Sequence, residues 1–266
     1  TQGAGASTII NPNRPESVVN AGLHTLAVVG FVDNLATDTA DVTVIAKRGS
    51  AWPEAGVIDL HFYFTGAQDW SAETVPDDPY FAAVIARFNE LYGAMGVQVG
   101  EMTFRDIDPA LRTVSIDPEN DTLGALVAQS DPSLGHGAHV FFVEEILTGE
   151  ADYPSIPGVA AGVPNPPYLT GTGAGGIVIS TKGPLEIPPG QRFLDPPAIG
   201  QTLCHEMGHL LGLFHTSEYD EVSHDQFEDT PQNDNTYLMH ADGTGPTLSP
   251  AQADAIMANP LVRHPD

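Results

Sequence analysis

Apolar and polar residues alternate in one early stretch of the chain, VIDLHFYF at 57–64. Ile58, Leu60, Phe62 and Phe64 are spaced by two. This is the period of a β-strand that buries one of its faces. The stretch therefore predicts a strand whose apolar side chains point into a core.

The next apolar segment, DPYFAAVIARFNELYGAMG at 78–96, has a different period. Its apolar residues recur at steps of three and four, which is typical of a long amphipathic helix. Asp78 and Pro79 suit the cap and first turn of this helix, and Gly96 suits its end. The apolar face would consist of Phe81, Val84, Ile85, Phe88, Leu91, Tyr92 and Met95.

Further elements follow from the same reasoning. Strands are expected at VQVGEMTF (97–104), AHVFFV (138–143) and GIVIS (176–180), and a helix from about Pro197 to Leu211. Strands and helices in this order favour an α/β (α+β) domain with a mixed sheet.

A last helix is predicted in SPAQADAIMA at 249–258. Ser249 suits its N-cap, Pro250 its first position, and Gln252 completes a capping box with Ser249.

Two regions lack a long periodic pattern. Residues 154–175 are rich in proline and glycine, too broken for a helix, and long irregular segments of this kind are often functional loops. The first fifty or so residues contain two short strand-like stretches, LAVVGFV (26–32) and DVTVIAK (41–47). We therefore predict an N-terminal β-rich segment at 1–54, followed by one catalytic-sized domain at 55–266.

The charge balance narrows the classes of partner. The chain has 35 acidic and 9 basic residues, a formal net charge of −26. Nucleic-acid binding requires a positive surface and is not expected. No run of 18 apolar residues exists, so no membrane span is expected either. The acidic excess fits a solvated surface, and it also fits calcium binding or attraction of basic substrates; both interpretations stay open.

The stretch LCHEMGHLLGLFH at 203–215 concentrates three of the ten histidines. His205 and His209 are four apart, so on a helix they share one face and can reach one metal ion. Glu206 is rotated by about 100° from His205, near enough to hold a water molecule without being a ligand itself. Cys204, the only cysteine, can form no intramolecular disulfide and is expected to be a small core residue.

His215 breaks the helical spacing. On a continuous helix it would lie about 15 Å beyond His205 and on another face. The chain must therefore leave the helix between His209 and His215, and Gly212 permits this because glycine adopts left-handed backbone angles at little cost. We predict that the turn at Gly212 brings His215 back as a third ligand.

Three neutral imidazoles suit Zn²⁺ and leave its fourth position open, which is typical of a catalytic site. The predicted chemistry is peptide-bond hydrolysis, in which Glu206 takes a proton from a zinc-bound water and passes it to the leaving amine. Residues 154–175 and the strand at 176–180 are expected to line the cleft and to pair with extended substrate.

HEMGHLLGLFH resembles the pattern H-E-x-x-H-x-x-G-x-x-H of the metzincin zinc peptidases at all five fixed positions. The resemblance implies that Met239, in NTYLMHADG, lies beneath the metal in a tight turn. It also implies a twisted mixed sheet, a backing helix, an active-site helix and a small C-terminal subdomain. The boundary between upper and lower subdomains would fall after Gly212, at about 55–212 and 213–266.

The surroundings are most similar to those of the pappalysin family, through GLFHTSE and the Asp229-Thr230-Pro231 triplet before the methionine turn. That resemblance implies a secreted protein and calcium bound among the acidic residues after the zinc motif. Whether these residues bind calcium or form a solvated loop stays open. They are Asp220, Glu221, Asp225, Glu228, Asp229, Asp234 and Asp242.

One departure from the family affects catalysis. Many metzincins have a tyrosine two residues after the turn methionine, which helps to stabilise the oxyanion; this chain has Ala241 there, with Tyr237 and His240 as nearby candidates. Two alternatives to a general endopeptidase therefore stand. One is a zinc-binding module with weak catalysis, and the other is a processing protease or toxin of narrow specificity. The sequence carries no indication of oligomeric state.

Overall fold

The structure is a computed structural model that describes Val44, Lys47 and residues 54–164, 169–184 and 193–265. The strands predicted at 26–32 and 41–47 fall outside the described residues, apart from Val44 and Lys47. The N-terminal β-rich segment, like the division into subdomains, stays a prediction.

A five-stranded mixed sheet forms the centre of the domain, in the strand order β2-β1-β4-β8-β7. All neighbouring pairs are parallel except β7 with β8, which is antiparallel. The α/β class with a mixed sheet, predicted from the sequence, is confirmed. Its strands are β1 (Gly56–Phe64), β2 (Val97–Asp106), β4 (Ala138–Val143), β7 (Gly158–Ala160) and β8 (Ile177–Ser180).

A smaller sheet has the order β3-β5-β6. It contains β3 (Thr113–Ser115), β5 (Glu145–Leu147) and β6 (Ser155–Ile156), with β3 parallel to β5 and β6 antiparallel to it. The Pro/Gly-rich region 154–175 therefore contributes two short strands, β6 and β7, which the sequence pattern did not reveal.

The four α-helices of the described residues are α1 (Pro79–Gly93), α2 (Leu123–Val127), α3 (Pro196–Leu211) and α4 (Pro250–Ala258). In α1 the Asp78 side chain accepts the N–H groups of Tyr80 and Phe81, which confirms the predicted cap. The helix ends at Gly93, three residues before the predicted stop, and Gly96 (φ 84°) leads into β2. In α4 the predicted capping box between Ser249 and Gln252 is present.

Both faces of the central sheet are covered. Ile58, Leu60, Phe62 and Phe64 of β1 pack into one apolar cluster with side chains from α1, α3 and α4. Tyr63 lies on the opposite face, in a second cluster with side chains of the small sheet and α2. The prediction of one buried face for β1 was therefore incomplete, because a second layer covers the other face.

The C-terminal residues return to the start of β1. Val57 and Arg263 form an antiparallel bridge, and Arg263 donates to the Asp59 carboxylate at 3.0 Å. Within the residues that the structure describes, no helix is long and apolar enough to cross a bilayer.

Candidate metal centre

Helix α3 carries the histidine motif and is fixed at its start by local chemistry. The Asp195 side chain accepts the Ala198 N–H at 2.9 Å, and Pro196 occupies the first turn, where a missing N–H costs nothing. The helix is buried from Leu203 to Leu211. Burial of this half, together with the cap, sets the direction in which its histidines point.

Gly212 ends the helix in the left-handed conformation, with φ 112° and ψ 11°. The N–H of Gly212 donates to the His209 carbonyl at 3.0 Å, and the N–H of Leu213 donates to the Gly208 carbonyl at 2.9 Å. These two bonds form a Schellman motif, which reverses the chain direction at once. The predicted turn is therefore present.

The turn brings His215 to His205 and His209. The three Nε2 atoms are 3.1 Å apart between His205 and His209, 3.0 Å between His209 and His215, and 3.2 Å between His205 and His215. Among the described residues, this is the one group of three or more His, Cys, Asp or Glu side chains placed to hold a metal ion.

The Nδ1 atoms of the three rings face hydrogen-bond acceptors. His205 Nδ1 lies 2.7 Å from the Leu238 carbonyl and His209 Nδ1 lies 2.8 Å from the Leu213 carbonyl. His215 Nδ1 lies 2.8 Å from the Glu218 carboxylate. Since these acceptors have no proton to give, each Nδ1 must donate, and in the neutral rings each Nε2 is left with a lone pair.

Three lone pairs at this separation repel one another unless a cation lies between them. Nitrogen ligands of a tetrahedral zinc, at about 2.0–2.1 Å from the metal, lie about 3.3 Å apart. The observed separations of 3.0 to 3.2 Å are close to this value. Burial, reinforced by neighbouring histidines, lowers the pKa of His205 to about 3 and of His209 to about 4. Both rings are therefore neutral at pH 7, as metal ligands must be.

Glu206 projects from α3 towards β7 and is 6% exposed. Burial raises the pKa of its carboxyl to about 8, and a hydrogen bond from the Ala160 N–H acts in the opposite direction. The Ala160 hydrogen bond therefore ties this carboxyl group to β7 at the edge of the sheet.

Met239 is fully buried beneath α3. A Cβ built on Gly208 would lie 2.3 Å from its sulfur, so the helix and the methionine are in close contact. The turn around Met239 is closed by the His240 N–H, which donates to the Tyr237 carbonyl at 3.1 Å. This same turn presents the Leu238 carbonyl to His205.

Sequence reasoning placed the histidines and the turn, and it missed the groups that orient them. The two carbonyls, of Leu213 and Leu238, belong to the backbone and leave no trace in residue type. Glu218 was not predicted to orient a ligand. Its position three residues after His215 was the one signal in the sequence that could have identified it.

Ala241 stands where the family has a tyrosine, and both of its backbone polar groups are hydrogen-bonded. The Ala241 N–H donates to the Ser217 carbonyl at 3.0 Å, and the Tyr219 hydroxyl donates to the Ala241 carbonyl at 3.0 Å. Of the two candidates in the sequence, the Tyr237 hydroxyl donates to the Asp229 carbonyl, and His240 Nδ1 accepts the Asp242 N–H. The Tyr237 hydroxyl is thus held by the backbone of Asp229.

Several acidic residues after the motif accept hydrogen bonds from neighbouring segments of the chain. Asp229 accepts from the Ser249 hydroxyl and the Ala251 N–H at the start of α4, and Asp220 accepts from the Val222 and Ser223 N–H groups. Asp225 differs, because one oxygen accepts from Thr230 while the other is buried with no hydrogen-bond partner among the described residues.

Two further histidines, His61 and His139, are buried, with 4% and 6% exposure. Their rings lie 5.1 Å apart on the face of the sheet opposite α3. Cys204 is buried as predicted, and burial raises the pKa of its thiol.

The chain matches no family model, and no curated protein resembles it significantly. The solved structures to which it is similar at low level include the following two. Archaemetzincin from Methanopyrus kandleri shows 16% identity and a TM-score of 0.38, over 75% of this chain and 93% of that one. Metalloproteinase-II from Bacteroides fragilis shows 14% identity and a TM-score of 0.46, over 79% of this chain and 54% of that one. Similarity at these TM-scores assigns no function to the chain.

Proposed function

We propose that this protein is a zinc-dependent endopeptidase with His205, His209 and His215 as metal ligands. The observation that carries the proposal is the convergence of three Nε2 lone pairs within 3.2 Å, each set by an acceptor at the opposite ring nitrogen. Three protein ligands leave a position open, which favours a catalytic over a structural site. Zinc held there would polarise a carbonyl and lower the pKa of a water molecule.

Glu206 is proposed as the general base and acid. A carboxyl with a pKa of about 8 exchanges protons readily near neutral pH. Its carboxylate would take a proton from the attacking water and return it to the leaving amine. A bound cation nearby would favour the ionised form that starts this cycle.

The substrate cleft is proposed to run along β7. β8 lies between β4 and β7, so the strand at 176–180 cannot be the one that pairs with substrate, contrary to its place in the sequence-based hypothesis. Because the Ala161 N–H bonds to Gly176 and the Pro157 carbonyl to Ser180, the alternating groups of Gly158 and Ala160 face the free edge, that is, the edge of β7 that pairs with no other strand of the described residues. An extended peptide would add to the sheet there through the Gly158 N–H and the carbonyls of Gly158 and Ala160, because the Ala160 N–H already donates to Glu206.

The decisive test compares the parent with Glu206→Gln, which keeps the shape of the side chain but removes the base. We expect both to bind about one equivalent of zinc, and Glu206→Gln to cleave unfolded protein substrates about 10²- to 10⁴-fold more slowly. Glu73→Gln, at an exposed glutamate outside the histidine motif and the acidic loop that follows it, serves as the control and should cleave like the parent.

Two outcomes would contradict the proposal in different ways. Equal cleavage by the parent and Glu206→Gln would remove Glu206 from the mechanism. Zinc binding by a parent that cleaves no protein would favour the binding module with weak catalysis. Cleavage confined to one sequence in a panel of unfolded proteins would instead identify the narrow-specificity enzyme.

Calcium binding at Asp225 is a further part of the proposal, supported by its buried oxygen without a partner. If calcium occupies this loop, saturation at about 100 times the dissociation constant should stabilise the fold by about 2.7 kcal/mol. The shift in thermal midpoint should be lost in Asp225→Asn and kept in Asp220→Asn. An equal shift in all three proteins would exclude Asp225 as a ligand.

A secreted location is proposed from the pappalysin resemblance alone. Detection of the protein in the medium of the producing cells would support it, and retention inside intact cells would refute it.

A further inference from the structure

Strand β7 lies directly against the proposed general base. A Cβ built on Gly158 would lie 2.6 Å from Cγ of Glu206 and 2.8 Å from its Oε1. Real Cβ atoms do not approach other heavy atoms so closely, so a side chain at position 158 would displace Glu206 or the strand. The absence of a side chain is what lets the backbone of β7 touch the carboxylate arm.

A second side chain, Thr202, also lies against Gly158. The same Cβ would lie 2.7 Å from Cγ2 of Thr202, one helical turn before Glu206 on α3. Gly158 therefore sits between two side chains at positions i and i+4 of the helix, which form neighbouring ridges on its surface.

Ala160 completes the arrangement from the same strand. Its N–H faces the free edge of the sheet, away from β8, and donates to the Glu206 carboxylate. One edge of β7 thus contacts the Glu206 side chain at its Cγ through Gly158 and at its carboxylate through Ala160.

We propose that Gly158 and the Ala160 N–H are positioning elements that fix Glu206 for proton transfer. The inference rests on the proposed role of Glu206 as base. It assigns β7 a second task besides pairing with substrate. The strand that would hold the peptide also holds the base, so the distance between the two is fixed by one rigid element.

The first experiment measures kcat, KM and zinc content for Gly158→Ala. Misplacement of a catalytic group by about 1 Å can cost about 100-fold in rate, so we expect kcat to fall by about 10- to 100-fold. KM should change by less than about threefold. Zinc content should stay at about one equivalent, because the three atoms nearest to a Cβ at position 158 belong to Glu206 and Thr202. Gly93→Ala is the matched control, since its Cβ would meet nothing within 4 Å.

A double variant separates the effect of the Glu206 contact from that of the Thr202 contact. Thr202→Ser removes the Cγ2 contact and leaves the Glu206 contact in place. If the loss arises at Glu206, Gly158→Ala combined with Thr202→Ser should remain slow. Recovery of the parent kcat in the double variant would overturn the proposal, as would a normal kcat in Gly158→Ala or parallel loss of zinc.

A second readout does not depend on activity. Hydrogen exchange of the Ala160 amide should be slow in the parent and at least about tenfold faster in Glu206→Ala, which removes the acceptor. Glu206→Gln keeps an acceptor oxygen and should keep the protection, and Gly158→Ala should lose it. Equal exchange in the parent and Glu206→Ala would refute the contact. If the exchange pattern holds but the parent cleaves nothing, the proposed function fails while the positioning contact stands.

Discussion

At the scale of single residues, the orientation of each histidine ring is set by its Nδ1 partner. A backbone carbonyl accepts the Nδ1 proton of His205 and of His209, so neither ring can turn its bare nitrogen away from the other. Hydrogen bonds of this type fix ring orientation and raise the basicity of a metal ligand. The same logic applies to His215, with the Glu218 carboxylate as acceptor.

His139 predicts a pH-dependent stability that is separate from the metal centre. The Tyr63 hydroxyl accepts the Asp131 N–H and faces His139 Nδ1 at 2.9 Å, so it donates to a bare nitrogen. Burial, with a smaller effect of His61, lowers the pKa of His139 from 6.5 to about 4. Below pH 6.5 the unfolded chain takes up a proton that the folded chain refuses, so stability falls as the pH decreases towards 4, by at most about 3 kcal/mol.

The measurement is urea unfolding of the parent and of His139→Gln at several pH values between 7 and 4. Glutamine cannot be protonated in this range, so the variant should lose about 3 kcal/mol less than the parent over the interval. The other buried histidines titrate in both proteins and cancel in the difference. Parallel pH profiles would show that His139 does not contribute.

The sequence predicted residue identities at the site better than residue environments. His205, His209 and His215 could be found because their spacing is local and Gly212 explains it. The burial of His61 and His139 could not be predicted from the sequence, since it depends on a layer of structure formed by distant segments. The Leu238 carbonyl, 33 positions from His205, was invisible for the same reason.

At the scale of elements, Gly212 connects the helix to the third histidine, and its substitution should have two effects. With φ at 112°, alanine at this position is strained by about 1–2 kcal/mol. Gly212→Ala should therefore lower the free energy of unfolding, and it should also weaken zinc binding because His215 is displaced.

Gly66→Ala provides the comparison. Gly66 also has a positive φ of 80°, and a Cβ there would meet nothing within 4 Å. It should lose stability by a similar amount with unchanged zinc affinity, measured by competition with a chromogenic chelator. Equal zinc affinity in both variants would show that the turn does not position His215.

The elements with strong periodicity were the ones the sequence revealed. β4 coincides with the predicted 138–143, and α3 begins one residue before the predicted Pro197. β7 was missed because its three residues, Gly158 to Ala160, have no strand signature of their own. Its strand conformation comes from pairing with β8, which is a tertiary effect.

At the scale of the whole molecule, the excess of negative charge affects stability. Nine basic residues can pair with at most nine of the 35 acidic ones, which leaves a formal net charge of −26. Such self-repulsion destabilises a compact chain, and salt screens it over a Debye length that shortens from about 30 Å at 0.01 M to about 8 Å at 0.15 M.

Sodium chloride should therefore raise the thermal midpoint, by about 2–4 °C for each kcal/mol of repulsion relieved. The same titration near pH 4.3, the calculated isoelectric point, should show little change. A midpoint that falls with salt at pH 7 would mean that attractive ion pairs outweigh the repulsion.

The acceptors that support the three histidine rings by hydrogen bonds to Nδ1 differ in their distance along the chain from those rings. The acceptors for His209 and His215 are within four residues of their rings, whereas that for His205 comes from a separate turn. A peptide of residues 203–218 grafted onto another scaffold would thus carry every ligand and two of the three supports. The peptide would lack the Leu238 carbonyl. His205 would therefore be the one ligand whose proton is not fixed on Nδ1, and its Nε2 could carry the proton instead of a lone pair for the metal.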